Sequence, residues 1–79
     1  MIVTLYTKAD CPGCVAAGVF LADKGVEFTV VDLTRDDIGQ QDMWSRGLSF
    51  PCLRIDDRWV GGFSYGTWQK ALREALTDD

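Results

Sequence analysis

Two cysteines three positions apart, in Cys11-Pro12-Gly13-Cys14, are the residues of this chain best suited to chemistry. A C-x-x-C pair serves either thiol–disulfide exchange or metal binding. A structural zinc site calls for four Cys or His ligands. The chain has three cysteines and no histidine, so Cys52 completes three ligands at best. The pair therefore reads as redox-active, with no metal and no cofactor expected. Its place in the chain agrees, because a strand-like segment precedes it and Pro12 suits the first turn of a helix. The unpaired amides and the dipole at a helix N-terminus favour an anion, so a thiol there ionises more readily than in water. Cys11 is then the exposed nucleophile. Cys14, a turn further in, is the more buried cysteine that resolves the mixed disulfide. Lys8 adds positive potential from the same loop, and Asp10 opposes it.

Two further segments bear on that site. Phe50-Pro51-Cys52 opens a strand, where both a cis and an ordinary trans proline fit. A cis bond would turn the Phe50 backbone toward the cysteines as an edge for a substrate strand. Cys52 reads as a small buried hydrophobe; the alternative places it within reach of the active site. Gly61-Gly62-Phe63-Ser64 precedes the last helix, with glycines free to take unusual dihedrals and Ser64 able to cap. A plain capped turn accounts for this run, and a helix N-terminus that holds a carboxylate or a partner's backbone is its functional reading. Trp59 and Phe63 form an apolar landing surface if exposed beside Cys11, and belong to the core otherwise.

The elements that must position these residues follow from pattern. Ile2–Thr7 is β-branched and aromatic, a strand whose near-continuous apolarity implies a central place covered on both faces. Pro12–Lys24 is helical, with Gly25 as its stop signal, and Glu27–Asp32 is a second strand. Together they make a right-handed βαβ unit. Thr34-Arg35-Asp36-Asp37 has the form of a capping box without Glu, opening a weaker helix to about Arg46. Cys52–Ile55 and Arg58–Val60 flank Asp56-Asp57 as an antiparallel hairpin. Trp68, Ala71, Leu72, Ala75 and Leu76 fall on one helical face, which is expected to be buried. The sum is an α/β fold in the order βαβ-α-ββ-α. It has a four-stranded mixed sheet, helices on both faces and a single domain over residues 1–79.

Composition narrows the function classes. Hydrophobic residues at 47% exclude intrinsic disorder. A net charge of −4 with scattered Lys and Arg leaves no basic stripe for nucleic acid. No apolar run reaches membrane-spanning length, and Met1–Thr7 lacks the basic lead and cleavage site of a signal peptide. A cytoplasmic monomer is expected.

The whole chain resembles the glutaredoxin family, including its NrdH-type redoxin branch. The resemblance rests on Tyr6-Thr7-Lys8 leading into Cys11-Pro12-Gly13-Cys14, the Lys24-Gly25-Val26 turn, Phe50-Pro51 and Gly61-Gly62-Phe63. It implies a thioredoxin fold, a cis Pro51, a nucleophilic Cys11 and a resolving Cys14. It also implies that substrate meets Lys8, Pro12, Gly13, Phe50, Pro51, Gly62, Phe63 and Ser64. Glutathione-using members usually have an aromatic where this chain has Gly13, and an acidic pair where it has Ser64 and Tyr65. Trp59-Val60-Gly61-Gly62-Phe63 looks like the corresponding stretch of NrdH-type redoxins, which take electrons from thioredoxin reductase and reduce ribonucleotide reductase. The resemblance thus implies a dithiol oxidoreductase reduced by thioredoxin reductase or glutathione, with ribonucleotide reductase or another disulfide protein as substrate. A glutathione-dependent glutaredoxin and an iron–sulfur cluster carrier are the alternatives.

Overall fold

The computed structural model describes residues 1–77. In chain order it comprises β1 (Val3–Thr7), α1 (Pro12–Asp23), β2 (Thr29–Asp32), α2 (Asp37–Ser45), β3 (Cys52–Ile55), β4 (Arg58–Gly61) and α3 (Tyr65–Thr77). The strands lie in the order β2-β1-β3-β4. β1 runs parallel to β2 and antiparallel to β3, and β3 pairs antiparallel with β4. The mixed sheet and the hairpin are those expected from the pattern. Among the described residues no helix is long and apolar enough to cross a membrane.

Alternation along the strands sorts their side chains onto two unlike faces. Val3, Leu5, Leu53 and Ile55 point to one, where Ala17, Phe20 and Leu21 of α1 and Trp68, Ala71 and Leu72 of α3 close a core. On the other face Leu33, Met43 and Cys52 form a smaller cluster, ringed by half-buried Tyr6, Leu48, Phe50 and Trp59. β1 is central as expected, but only one of its faces is sealed. Thr4 and Tyr6 remain half-buried, because the nine-residue α2 offers Met43 as its only buried side chain.

The turns that end α1 and α2 share one construction. Gly25 (φ +69°) donates to the Ala22 carbonyl and Val26 to that of Leu21; Gly47 (φ +73°) donates to Trp44 and Leu48 to Met43. Each is a Schellman turn that needs a residue in the left-handed region, which glycine occupies without a Cβ clash.

Three departures from expectation bear on packing. β2 starts at Thr29, not Glu27. The cap of α2 is Asp36, whose carboxylate accepts from the Gly39 amide at 2.8 Å, and Thr34 is used elsewhere. The buried face of α3 ends at half-buried Ala75, and Leu76 is 63% exposed. Four-residue strands span about 13 Å and a 13-residue helix about 20 Å, so α3 is longer than the strands it covers.

Candidate active site

Cys11 lies at the point where β1 hands over to α1. It is the N-cap of the helix (φ −118°, ψ 92°), followed by Pro12 at the first helical position. The chain reaches it through Asp10, which takes a left-handed φ of +59°. Cys11 and Cys14 are disulfide-bonded, with Cα atoms 5.4 Å apart, and the Cys14 amide donates to the Cys11 carbonyl at 3.0 Å. Cys11 is half-buried, Pro12 exposed and Cys14 buried. The pair therefore has one cysteine within reach of solvent and the other buried behind it.

A tether from the neighbouring strand end holds this loop. The Ala9 amide donates to Thr34 Oγ1 at 2.9 Å, and the Thr34 amide and hydroxyl both donate to Asp32 Oδ1. The Thr34 hydroxyl first, and its amide second, hold the Asp32 carboxyl below its ordinary range. Sequence reasoning assigned Thr34 to a helix cap and missed this role. The available signal was the D-x-T spacing of an Asx turn.

The Phe50–Pro51 bond is cis, and Pro51 is buried. Gly13 backs onto that proline: a Cβ at Gly13 would lie 3.2 Å from Pro51 Cδ. Lys8, exposed, sets its ammonium 5.3 Å from the centre of the Phe50 ring. Gly13 of the C-x-x-C loop thus meets Pro51, and Phe50 beside that proline meets Lys8, so these residues form a connected group.

The double glycine acts on the same group from behind. A Cβ at Gly61 would come within 3.0 Å of the Ser49 amide nitrogen and 3.1 Å of Leu48 Cα. Gly62, at φ +70°, donates its amide to the Ser49 carbonyl at 3.0 Å and accepts the Trp68 indole at 2.8 Å. These glycines grip the segment that leads into Phe50-Pro51. The Gly62 amide, expected to meet substrate, is already engaged. Phe63 turns inward, edge-on to Phe20 and Trp68 at 5.5 and 5.0 Å, and the carbonyl of exposed Ser64 accepts from the Trp68 amide.

Both aromatics considered as a landing surface are half-buried and packed against neighbours. Phe63 packs in the α1/α3 core. Trp59 stacks on Tyr6 at 5.3 Å, with the guanidinium groups of Arg46 and Arg54 at 5.1 and 4.7 Å from its ring. Cys52, fully buried, has its thiol pushed up to about 11 by that burial. It is a core side chain, and a thiol this weakly acidic carries almost no thiolate at neutral pH.

Comparison with known proteins places these features in context. The glutaredoxin family model matches residues 3–60. The chain is 35% identical over 63 residues to a probable glutaredoxin of Synechocystis sp., covering 76% of this chain and 72% of that one. It superposes on the solution structure of a glutaredoxin from Brucella melitensis with a TM-score of 0.78 at 28% identity, over 98% of this chain and 86% of that one. The glutaredoxin-like NrdH-redoxin of Escherichia coli shares the fold, with a TM-score of 0.77 at 22% identity over 89% of this chain and 93% of that one.

Proposed function

The chain belongs to the glutaredoxin family, and from that membership we propose a single-domain cytoplasmic redoxin that passes electrons from a thioredoxin reductase to disulfide proteins, ribonucleotide reductase among them. It is a thiol–disulfide oxidoreductase with a C-x-x-C pair. The observation that carries the reading is the unequal placement of the two sulfurs, Cys11 half-exposed at the head of α1 and Cys14 buried behind it.

In the reduced protein the Cys11 thiolate attacks one sulfur of the client disulfide. That S–S bond breaks, a new one joins Cys11 to the client, and the second client sulfur leaves as a thiolate that takes a proton. Cys14 then gives up its proton and attacks Cys11 Sγ. This closes the Cys11–Cys14 disulfide and releases the remaining client thiol. Two electrons have passed to the client, and the reductase restores them. Pro51 and Gly13 hold the loop against the Phe50 edge, and Lys8 supplies positive charge beside the nucleophile.

The choice of reductant rests on what the glutathione side lacks. Ser64 and Tyr65 carry no carboxylate where an acidic pair would meet the glutathione amine, and the Gly62 amide is engaged by Ser49. Losing a charge-assisted contact costs about 1.5–3 kcal/mol, or roughly one to two decades in affinity. The NrdH-redoxin of Escherichia coli is described as having a thioredoxin-like activity profile, and the same profile is proposed here. Lys8 over Phe50 favours a second reading, reduction by glutathione. A coupled assay at physiological concentrations compares thioredoxin reductase with glutathione plus glutathione reductase. Faster turnover with thioredoxin reductase is expected. Efficient turnover with glutathione and none with a cognate thioredoxin reductase would overturn the proposal.

A further inference from the structure

Three tryptophans are present, and two of them are committed to the fold. Trp68 is fully buried in the α1/α3 core, and Trp59 is stacked on Tyr6. Trp44 is different. It is 82% exposed and has no ring contact among the described residues. Stability gives no reason for an indole left in water on α2.

Its surroundings do. Trp44 lines a groove with Lys8, Gln40, Gln41, Leu48 and Phe50. The Schellman turn that ends α2 fixes Leu48 beside it, and half-buried Leu48 and Phe50 are the apolar members of the lining. The Gln40 side-chain amide is spent on the Leu33 and Thr34 carbonyls. Lys8 is the only cation in the lining. Two of the lining residues adjoin the active-site segments in the chain: Lys8 lies three residues before Cys11, and Phe50 precedes the cis Pro51. β3 begins only at Cys52, so the Phe50 backbone stands ahead of the ladder.

We propose that Trp44 is a specificity-determining residue, the wall of a groove that takes an apolar side chain from an extended polypeptide client beside the cysteine being reduced. This inference rests on Cys11 being the nucleophile. A client joined to Cys11 and running along Phe50 alternates its side chains between two faces. The residue two positions from its cysteine therefore shares the face of that cysteine and meets Trp44. Lys8 at the rim adds a preference for a neighbouring carboxylate, by charge complementarity.

The test uses the full-length reduced protein and two disulfide-linked peptide dimers. One peptide carries phenylalanine two positions to each side of its cysteine, and the other carries glycine there. The measured quantity is the ratio of second-order rate constants for their reduction. Trp44→Ala is expected to lower that ratio about tenfold, while Trp44→Phe keeps most of it. Ile38→Ala alters a residue equally exposed on α2 and outside the groove, and leaves the ratio unchanged. A ratio that Trp44→Ala does not move overturns the inference. So does an equal loss toward oxidised glutathione, which would assign the groove to a small thiol. Wild-type protein that reduces neither peptide nor hydroxyethyl disulfide would instead bring down the Cys11 reading, and the inference with it. Reduction of hydroxyethyl disulfide with an unmoved peptide ratio removes the role of Trp44 alone.

Discussion

On one face of the sheet, Phe20, Leu21, Trp68 and Leu72 close over Leu5 and Leu53; on the other, α2 sets little more than Met43 over Cys52 and Leu33. The first face is dense and aromatic, with Phe20, Phe63 and Trp68 meeting edge-on. The second is thin, and Trp59, stacked on Tyr6, has half-buried Arg54 and exposed Arg46 near its ring. Stability and reactivity are thereby separated. The α1/α3 face anchors the helix whose N-terminus bears Cys11, and the α2 face holds the tether, the groove and the Phe50 edge around it.

The largest effect that can break this comparison is on folding stability. Trp68→Ala removes the largest fully buried side chain and is expected to cost about 3–5 kcal/mol. Met43→Ala on the thin face is expected to cost about 2 kcal/mol, the low end for such a truncation. Urea titrations of both variants measure the difference. Equal losses would mean that the two faces contribute alike.

A middle-sized effect joins the faces at the double glycine. Gly61→Ala drives a Cβ against backbone atoms of Leu48 and Ser49, and backbone cannot step aside as a flexible side chain does. A loss of about 1–3 kcal/mol is expected, together with slower disulfide reduction, because the displaced segment carries Phe50 and Pro51. A variant that loses stability at full activity would show that the glycines serve packing alone.

These relations mark where the sequence was legible and where it was not. The C-x-x-C pair, the hairpin and the Trp68-Ala71-Leu72 face depend on spacings within one element or between neighbours, and they were readable. Gly61 against Leu48 and Thr34 against Ala9 join residues far apart in sequence, and local pattern carries no such information. Leu76 fits the helical period and is still exposed, because periodicity does not report what lies opposite each turn. The placements of Trp44 and Trp59 were unreadable for a related reason. The short α2 leaves its own indole in water, while the strand's indole finds Tyr6.

The smallest predicted effect concerns the tether. Asp32 has a folded pKa below its ordinary 3.8, so its contribution is complete above that value and is lost as acid takes the pH down through the folded pKa. Thr34→Val removes the hydroxyl from the same network at any pH. Both changes should lower the protection of the Ala9 amide, measured as exchange relative to the intrinsic rate at the same pH, and the protection of amides within the α1/α3 core should be unaffected. Exchange at Ala9 that ignores Thr34→Val would remove the tether from the account.

The central claim, that Cys11 is the working thiol because of where it sits, has a direct measurement. Iodoacetamide alkylation of the reduced protein is followed against pH, with each cysteine resolved by peptide mass spectrometry. Cys11 should titrate below the free-thiol value of about 8.5, while Cys52, pushed up to about 11 by burial, stays unmodified through neutral pH. A Cys11 midpoint at or above about 8.5, or alkylation of Cys52 ahead of it, would contradict the account.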